Sequence, residues 1–359
     1  MMGELAAALG PAEMCCLTGV RGKGDGSPEP GIYRRPRAFA RQPLLWAPGF
    51  TIAMTEIMLR ERPRLVHIAA AYDGYIGLWL KRWLRMPFVV YAYGNEVLDA
   101  AKSTWQKPRL ALATASRVIA ISRFTARLVE QAGVEPAKIE LVHPGCDPER
   151  FRPLPPRPEA RDRWLGARGG SPVLLTVARL VERKGHDTVI KALPLLLRSF
   201  PNLVYVVAGS GQYVAELRAL VSGLDLGEHV VFAGYVPDAE LPDLYAISDV
   251  FVMPSREHPG HVEGFGLVYL EASACGKPVV AGRSGGTADA VEEGVTGFLV
   301  DPESPEEIAA ALGRILQSPE VAGRMGGEGR RRVERGFTWR HFADRVRAVA
   351  QAVVEEHSA

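Results

Sequence analysis

The sequence predicts an α/β protein built from two doubly wound parallel-sheet domains in tandem, and three observations predict it. Short β-branched apolar runs alternate with helical patterns along nearly the whole chain. Near-continuous apolar strands between helices belong to a parallel sheet covered on both faces. The alternation breaks once, at a Pro-, Arg- and Gly-rich stretch over 151–172 that reads as a linker. The chain has 359 residues, 47% of them hydrophobic, enough for two cores of ordinary size.

The chain opens on a helical stripe of Met2, Leu5, Ala6 and Leu9, and "MCCLTGV" (14–20) is the first strand. A doubly wound domain normally begins with a strand whose following loop approaches the ligand. That strand and loop are expected to be missing from the first domain. Strands follow at 64–70, 88–93, 117–122 and 138–145, separated by helices such as 74–85 and 124–133. They define a first domain over 1–150, truncated at its start. After the linker, strands at 173–179, 203–209, 230–236, 250–255, 278–282 and 297–300 define a second domain over 173–337. The closing stretch, 338–359, repeats Trp339, Phe342, Val346 and Val349 at helical spacing and is expected to pack on a domain surface. Two such domains set the C-terminal ends of their strands, and so their ligand sites, on either side of a cleft.

Composition excludes several classes. The formal net charge is only +2, too small for a general nucleic-acid binder. No run of about 18 apolar residues offers a membrane span. Glu4 and the lack of a basic leader argue against a secretory signal. Cys15, Cys16, Cys146 and Cys275 show neither a disulfide framework nor metal-ligand spacing, so a reducing cytoplasm is the expected location. Charge is uneven: residues 1–150 hold 20 Lys plus Arg against 14 Asp plus Glu, the remainder 23 against 27. The basic first half suits an anionic acceptor or a membrane surface, although chance asymmetry of a solvated surface gives the same count.

Three stretches carry chemistry. In "HVEGFGLVYLEASACG" (261–276), Glu263 lies in a loop just before a helix and Glu271 about two turns into it. At 1.5 Å per residue the pair spans ~12 Å, about the length of a sugar diphosphate with its ribose. The helix N-terminus between them offers N–H groups and a positive dipole end to phosphate, and Gly264 and Gly266 let backbone approach a ligand. A capping Glu263 and a solvated Glu271 would be the plain structural reading; the flanking strand and glycines favour the ligand. In "VARLVERKGHD" (177–187), Arg179 and Lys184 bracket a strand-to-helix turn where they could neutralise a leaving pyrophosphate; ordinary surface charge would also account for Arg183. In "VVAGSGQY" (206–213), Gly209 and Gly211 mark either a tight turn or a nucleotide contact.

These residues carry a resemblance. "R-x4-K" at 179–184, "GSG", "GYV" (234–236) and above all 262–302 resemble the retaining glycosyltransferases of family 4, whose donor-site signature is E-x7-E. The form with a Gly-containing loop before "VEGFG" is most similar to bacterial mannosyltransferases of the phosphatidylinositol mannoside type. The resemblance implies a GT-B fold, two Rossmann-like domains facing across a cleft, with the last helix crossing back to the first. It implies Glu263, Arg179 and Lys184 as catalytic residues, Glu263 on the sugar hydroxyls and the cations on the pyrophosphate. Donor contacts would come from Gly209, Gly211, Val236, Gly264, Phe265, Gly266, Leu267, Val268 and Glu271. Val236 would meet the base through its backbone and Glu271 the ribose. The donor would be GDP-mannose or a UDP-sugar, the acceptor a lipid or glycan. No cofactor is implied, and a helix dipole with Arg179 and Lys184 can replace a divalent metal.

Two features depart from the family. Its opening strand and Gly-Gly loop are not seen, so a catalytically impaired nucleotide-sugar-binding protein is the competing reading. The His-Gly-x-Glu element reads "YGNE" here, which makes Tyr93, Asn95 and Glu96 the acceptor-side candidates. Trp79 and Trp83, beside Lys81, Arg82 and Arg85, are expected to pack into the core, with a membrane edge as the alternative. His143 and His186 have no legible partner, and "RRRVER" (330–335) is expected to be a solvated helix face.

Overall fold

The computed structural model describes residues 1–10, 13–14, 16–20, 32–36, 54–100, 106–168 and 170–358; Cys15 lies outside them. Among the described residues twelve strands form three parallel sheets. Among the described residues, strands β1 (Cys16–Val20) and β2 (Ile32–Pro36) pair with each other alone. Strands β3 (Val66–Ile68), β4 (Phe88–Ala92), β5 (Arg117–Ala120) and β6 (Ile139–Leu141) form a four-stranded sheet in chain order. Strands β7 (Val173–Val177), β8 (Val204–Ala208), β9 (Val230–Gly234), β10 (Val250–Met253), β11 (Val279–Gly282) and β12 (Gly297–Val300) form a six-stranded sheet ordered 12-11-10-7-8-9. That order reverses between β7 and β10, and such a switch point is where doubly wound sheets bind ligands.

The strands are shorter than their apolar runs because caps and turns cut them. At 117–122, for example, Ser122 leaves the strand to cap the helix Arg123–Gln131, its hydroxyl accepting the Thr125 N–H at 3.1 Å. β4, β10 and β11 are buried at every position, as strands covered on both faces must be.

The stretch read as a linker holds a helix, Pro158–Leu165, with proline in its first turn. Its Ala160, Trp164 and Leu165 join the apolar core around Val173, Leu244 and Phe251. Phe337 and Thr338 separate the helix Pro319–Gly336 from the last helix, Trp339–Ser358. There the Cys146 N–H donates to the Phe337 carbonyl at 2.8 Å, so the two chain crossings lie side by side. Phe342, Val346, Val349 and Val353 of the last helix pack with Leu5, Val89, Tyr91 and Ile119.

Two sequence expectations fail here. Trp79 and Trp83 are exposed, at 48% and 66%. The helix Gly74–Leu84 turns Gly74, Gly77 and Leu80 inward instead. Added Cβ atoms at the two glycines would meet Ala111 and the Phe88 ring, so this face packs by being small. "RRRVER" is only partly a solvated face: Arg330 donates to the carbonyls of Pro148, Phe151 and Ala274 at 2.7–3.0 Å, and Arg332 to those of Asp289 and Ala290. His186, buried, lies within 3.2 Å of the Tyr205 hydroxyl, and His143 stacks on Phe337. Burial pushes His186 down to about 4, so it is neutral at pH 7.

Candidate functional site at the sheet switch point

The loop after β7 and the loop after β10 interlock. The Arg256 N–H donates to the Arg183 carbonyl at 2.9 Å, and Gly185 sits so close to Pro254 that an added Cβ would lie 2.2 Å from its carbonyl oxygen. The Arg256 guanidinium holds Asp187 at 3.1 Å and Thr188 at 3.1 Å, fastening the loop after β10 to the helix His186–Leu197. The glycines of "GSG" serve this same arrangement. Added Cβ atoms at Gly209 and Gly211 would strike the carbonyls of Ala178 and Leu180, while the Leu180 N–H donates to Ser210 and the Tyr213 N–H to Leu180. Their immediate role is to hold the loop that carries Arg179.

Glu263 is the centre of the site. Its Oε2 accepts from the Lys184 ammonium, from Arg183 at 3.3 Å and from the Ser255 hydroxyl at 3.3 Å. Burial pushes the Glu263 carboxyl up, but Lys184 and then Arg183 outweigh it and hold it below its ordinary value. Burial likewise pulls the Lys184 ammonium down, against its attraction to Glu263. Arg179 is exposed at the rim, near enough to lower Lys184 further. The structure therefore joins Glu263 to Lys184 directly and leaves Arg179 facing solvent. Arg183, which the sequence left as surface charge, is only 12% exposed and belongs to the cluster; its position beside Lys184 in the turn Glu182–Lys184 was the available signal.

The helix Leu267–Ala274 begins beside Glu263. Gly266, at φ 92°, precedes it, and no side chain caps it, so its first turn, with Leu267 and Val268, keeps a positive end turned to the loop. The two glycines have packing reasons of their own. An added Cβ at Gly264 would lie 1.9 Å from the Tyr93 carbonyl oxygen, and one at Gly266 2.3 Å from the Tyr269 ring. Phe265 turns its ring away into a cluster with His143 and Phe337, so only its backbone is left for a ligand. Two turns on, Glu271 accepts from the Tyr245 hydroxyl at 2.8 Å. Burial pushes Glu271 above the usual carboxylate range, opposed by Tyr245 and Arg150. Arg150 also donates to the Asp238 carbonyl at 2.6 Å, which sets the buried Val236 turn on the Glu271 side.

The loop after β4 meets this site from across the cleft. The Asn95 amide oxygen accepts the Val262 N–H at 2.9 Å, and the Glu96 carboxylate, 4% exposed, accepts the Tyr93 N–H. Burial, with Glu96 nearby, pushes the Tyr93 hydroxyl well up, so it stays protonated. Of these three residues, Asn95 spends its oxygen on the second domain and Glu96 on its own turn.

A second contact between the domains was not visible in the sequence. Asp289, 5% exposed, accepts the Arg123 N–H at 2.5 Å and its guanidinium at 3.0 Å, with His143 Nε2 at 3.8 Å. It thus sits at the N-terminus of a helix in the other domain. Gly286, three residues earlier, donates to the Glu263 carbonyl at 2.8 Å, linking this latch to the Glu263 loop. Asp289→Ala is expected to weaken the domain contact by about 1.5–3 kcal/mol, the range for hydrogen bonds to a charged group. Small-angle scattering should then show a larger radius of gyration; an unchanged radius would remove Asp289 from this role.

A family model described as "Glycosyltransferase Family 4" matches residues 5–150, and one described as "Glycosyl transferases group 1" matches 159–332. A GDP-mannose-dependent alpha-(1-6)-phosphatidylinositol monomannoside mannosyltransferase of Mycolicibacterium smegmatis is 43% identical over 223 residues, 61% of this chain and 58% of that protein. The chain thus spans under two thirds of the length of the mannosyltransferases it matches. A D-inositol 3-phosphate glycosyltransferase of Kineococcus radiotolerans is 35% identical over 87% of this chain and 78% of its own length. The sucrose-phosphate synthase structure from Thermosynechococcus elongatus superposes with a TM-score of 0.81 at 25% identity, covering 99% of this chain and 93% of that one.

Proposed function

Because the chain belongs to the family 4 glycosyltransferases and has their two-domain GT-B fold, we propose that it is a retaining hexosyltransferase. It moves mannose, from GDP-mannose, to a lipid or glycan acceptor. The observation that carries this reading is the Glu263 carboxylate held by Lys184, Arg183 and Ser255 at the switch point between β7 and β10. A diphosphate entering beside the helix Leu267–Ala274 would draw the two cations to itself and leave Glu263 to the sugar hydroxyls. Arg179 at the rim would complete the neutralisation. As the sugar–phosphate bond breaks, negative charge grows on the phosphate, where fixed cations and a helix N-terminus stabilise it most. The departing phosphate oxygen takes the acceptor proton on the same face of the sugar, so no strong protein base is required and the Tyr93 hydroxyl need not act as one.

GDP in preference to UDP is supported by the relatives named as GDP-mannose-dependent mannosyltransferases. The same groups require no divalent ion and no cofactor. We place the protein in the cytoplasm, with peripheral membrane contact through its basic first half and no nucleic-acid partner. Calorimetry in excess EDTA tests the reading: GDP should bind more tightly than UDP, and transfer should persist. Binding restored only by magnesium or manganese would show that the charge-neutralising groups are misassigned. UDP binding more tightly would move the donor to a UDP-sugar, and nucleotide binding without any transfer would favour an impaired binding protein.

A further inference from the structure

We propose that the outer face of the helix Gly74–Leu84, with the turn before it, docks onto an anionic lipid bilayer. This rests on the peripheral contact proposed above and makes it a defined surface. This helix is apolar on both faces. The inner face sets Gly74 and Gly77 against Ala111 and Phe88 and buries Leu80, with Ile76 and Leu78 packed partly against the core, while the large aromatic side chains point out. Tyr75, Trp79 and Trp83 recur every fourth residue, and all three are exposed, as are Tyr72 and Leu84. Leu110, on the neighbouring helix Gln106–Thr114, is exposed too.

An exposed aromatic stripe alone would not name its partner; the charge does. The turn and helix together, residues 71–85, hold Lys81, Arg82 and Arg85 against one acidic residue, Asp73, and all three cations are exposed. The Arg82 guanidinium lies 5.2 Å from the centre of the Trp83 ring, and Lys81 donates to the Thr114 carbonyl at 2.6 Å. Cations are thus held along the edge of the aromatic stripe. Trp and Tyr rings suit the headgroup boundary, where one part of the ring is apolar and another wet. Flanking Lys and Arg add attraction to anionic headgroups. No helix among the described residues is long and apolar enough to cross a membrane, so this surface would lie on the bilayer.

The test is co-sedimentation of the full chain with phosphatidylcholine vesicles, with and without about 30 mol% phosphatidylglycerol. The chain should bind the anionic vesicles and largely ignore the neutral ones. Trp79→Ala with Trp83→Ala should lower partitioning at least tenfold. Lys81→Ala, Arg82→Ala and Arg85→Ala together should lower it on the order of 10²-fold at low salt. These side chains are exposed, so the variants should keep the wild-type circular dichroism and nucleotide affinity. The affinity reports on the donor site alone and separates failure of this surface from failure of the transfer reading. Equal binding by the tryptophan variant, or no wild-type binding to anionic vesicles, overturns the proposal. A concentration-dependent dimer lost in the tryptophan variant would also overturn it, assigning the face to a second copy.

Discussion

Glu263→Ala should lower transfer by on the order of 10²-fold or more, the usual effect of removing one preorganised contact to a developing charge, while nucleotide binding survives. The geometry explains why the two effects separate. Glu263 is the shared acceptor of Lys184, Arg183 and Ser255. Without it, the cations remain to meet a diphosphate, but the sugar loses its carboxylate and the reacting carbon its alignment. Removing Glu263 also leaves Lys184 buried without its counter-charge. Burial is the largest influence already pulling that ammonium below its ordinary value, so the loss should pull it lower still. Glu263→Gln keeps the shape and removes the charge. If the glutamine variant turns over as poorly as alanine while binding GDP at least as well as wild type, the charge of Glu263 is what matters. Near-normal turnover in either variant would reject the assignment.

How much of this was legible in the sequence depends on chain distance. The strands were visible because apolar β-branched runs are local, and the helix between Glu263 and Glu271 because its periodicity is local. Lys184 and Glu263 could each be picked out as charges near strand ends. Their pairing could not, since they are 79 residues apart and meet only because β10 lies beside β7. Arg183 was missed for the same reason: in sequence it is one more arginine in a charged turn, and its burial follows from the loop docking over it. The latch between Arg123 and Asp289 spans 166 residues and two domains, with no local pattern to announce it. Gly264 and Gly266 were read as places where backbone approaches a ligand, and Gly209 and Gly211 as a tight turn or a nucleotide contact; an added Cβ at each of the four would already strike protein. Trp79 and Trp83 were expected inside because aromatic stripes usually are, and here Gly74 and Gly77 take the inner face instead.

Glu271 gives the other large expected effect, and its sign can be worked out. Ribose hydroxyls would donate to its carboxylate, so Glu271→Ala should weaken GDP binding by roughly 1.5–3 kcal/mol, the range for charge-assisted hydrogen bonds. Burial raises Glu271 above an ordinary carboxyl, with the Tyr245 hydroxyl and Arg150 opposing it. As pH falls through that raised value, protonation turns an acceptor oxygen into a donor, and affinity for the ribose drops. The drop should begin nearer neutrality than the ordinary glutamate value of about 4.3 allows. Stability of the free protein responds in the opposite sense. A carboxyl that holds its proton more tightly when folded costs stability above its folded pKa, and that cost fades as pH falls. As pH falls through the raised pKa toward the ordinary glutamate value, acidification should therefore weaken GDP binding while Glu271's own contribution to unfolding stability improves. The diphosphate also titrates, so the measurement is the difference between wild type and Glu271→Gln, by calorimetry for affinity and by thermal melts for stability. The glutamine variant should lose both pH dependences. An alanine variant that binds GDP like wild type, or a wild-type affinity that falls with pH no faster than the glutamine variant's, would remove Glu271 from the ribose site and leave it a half-buried partner of Tyr245.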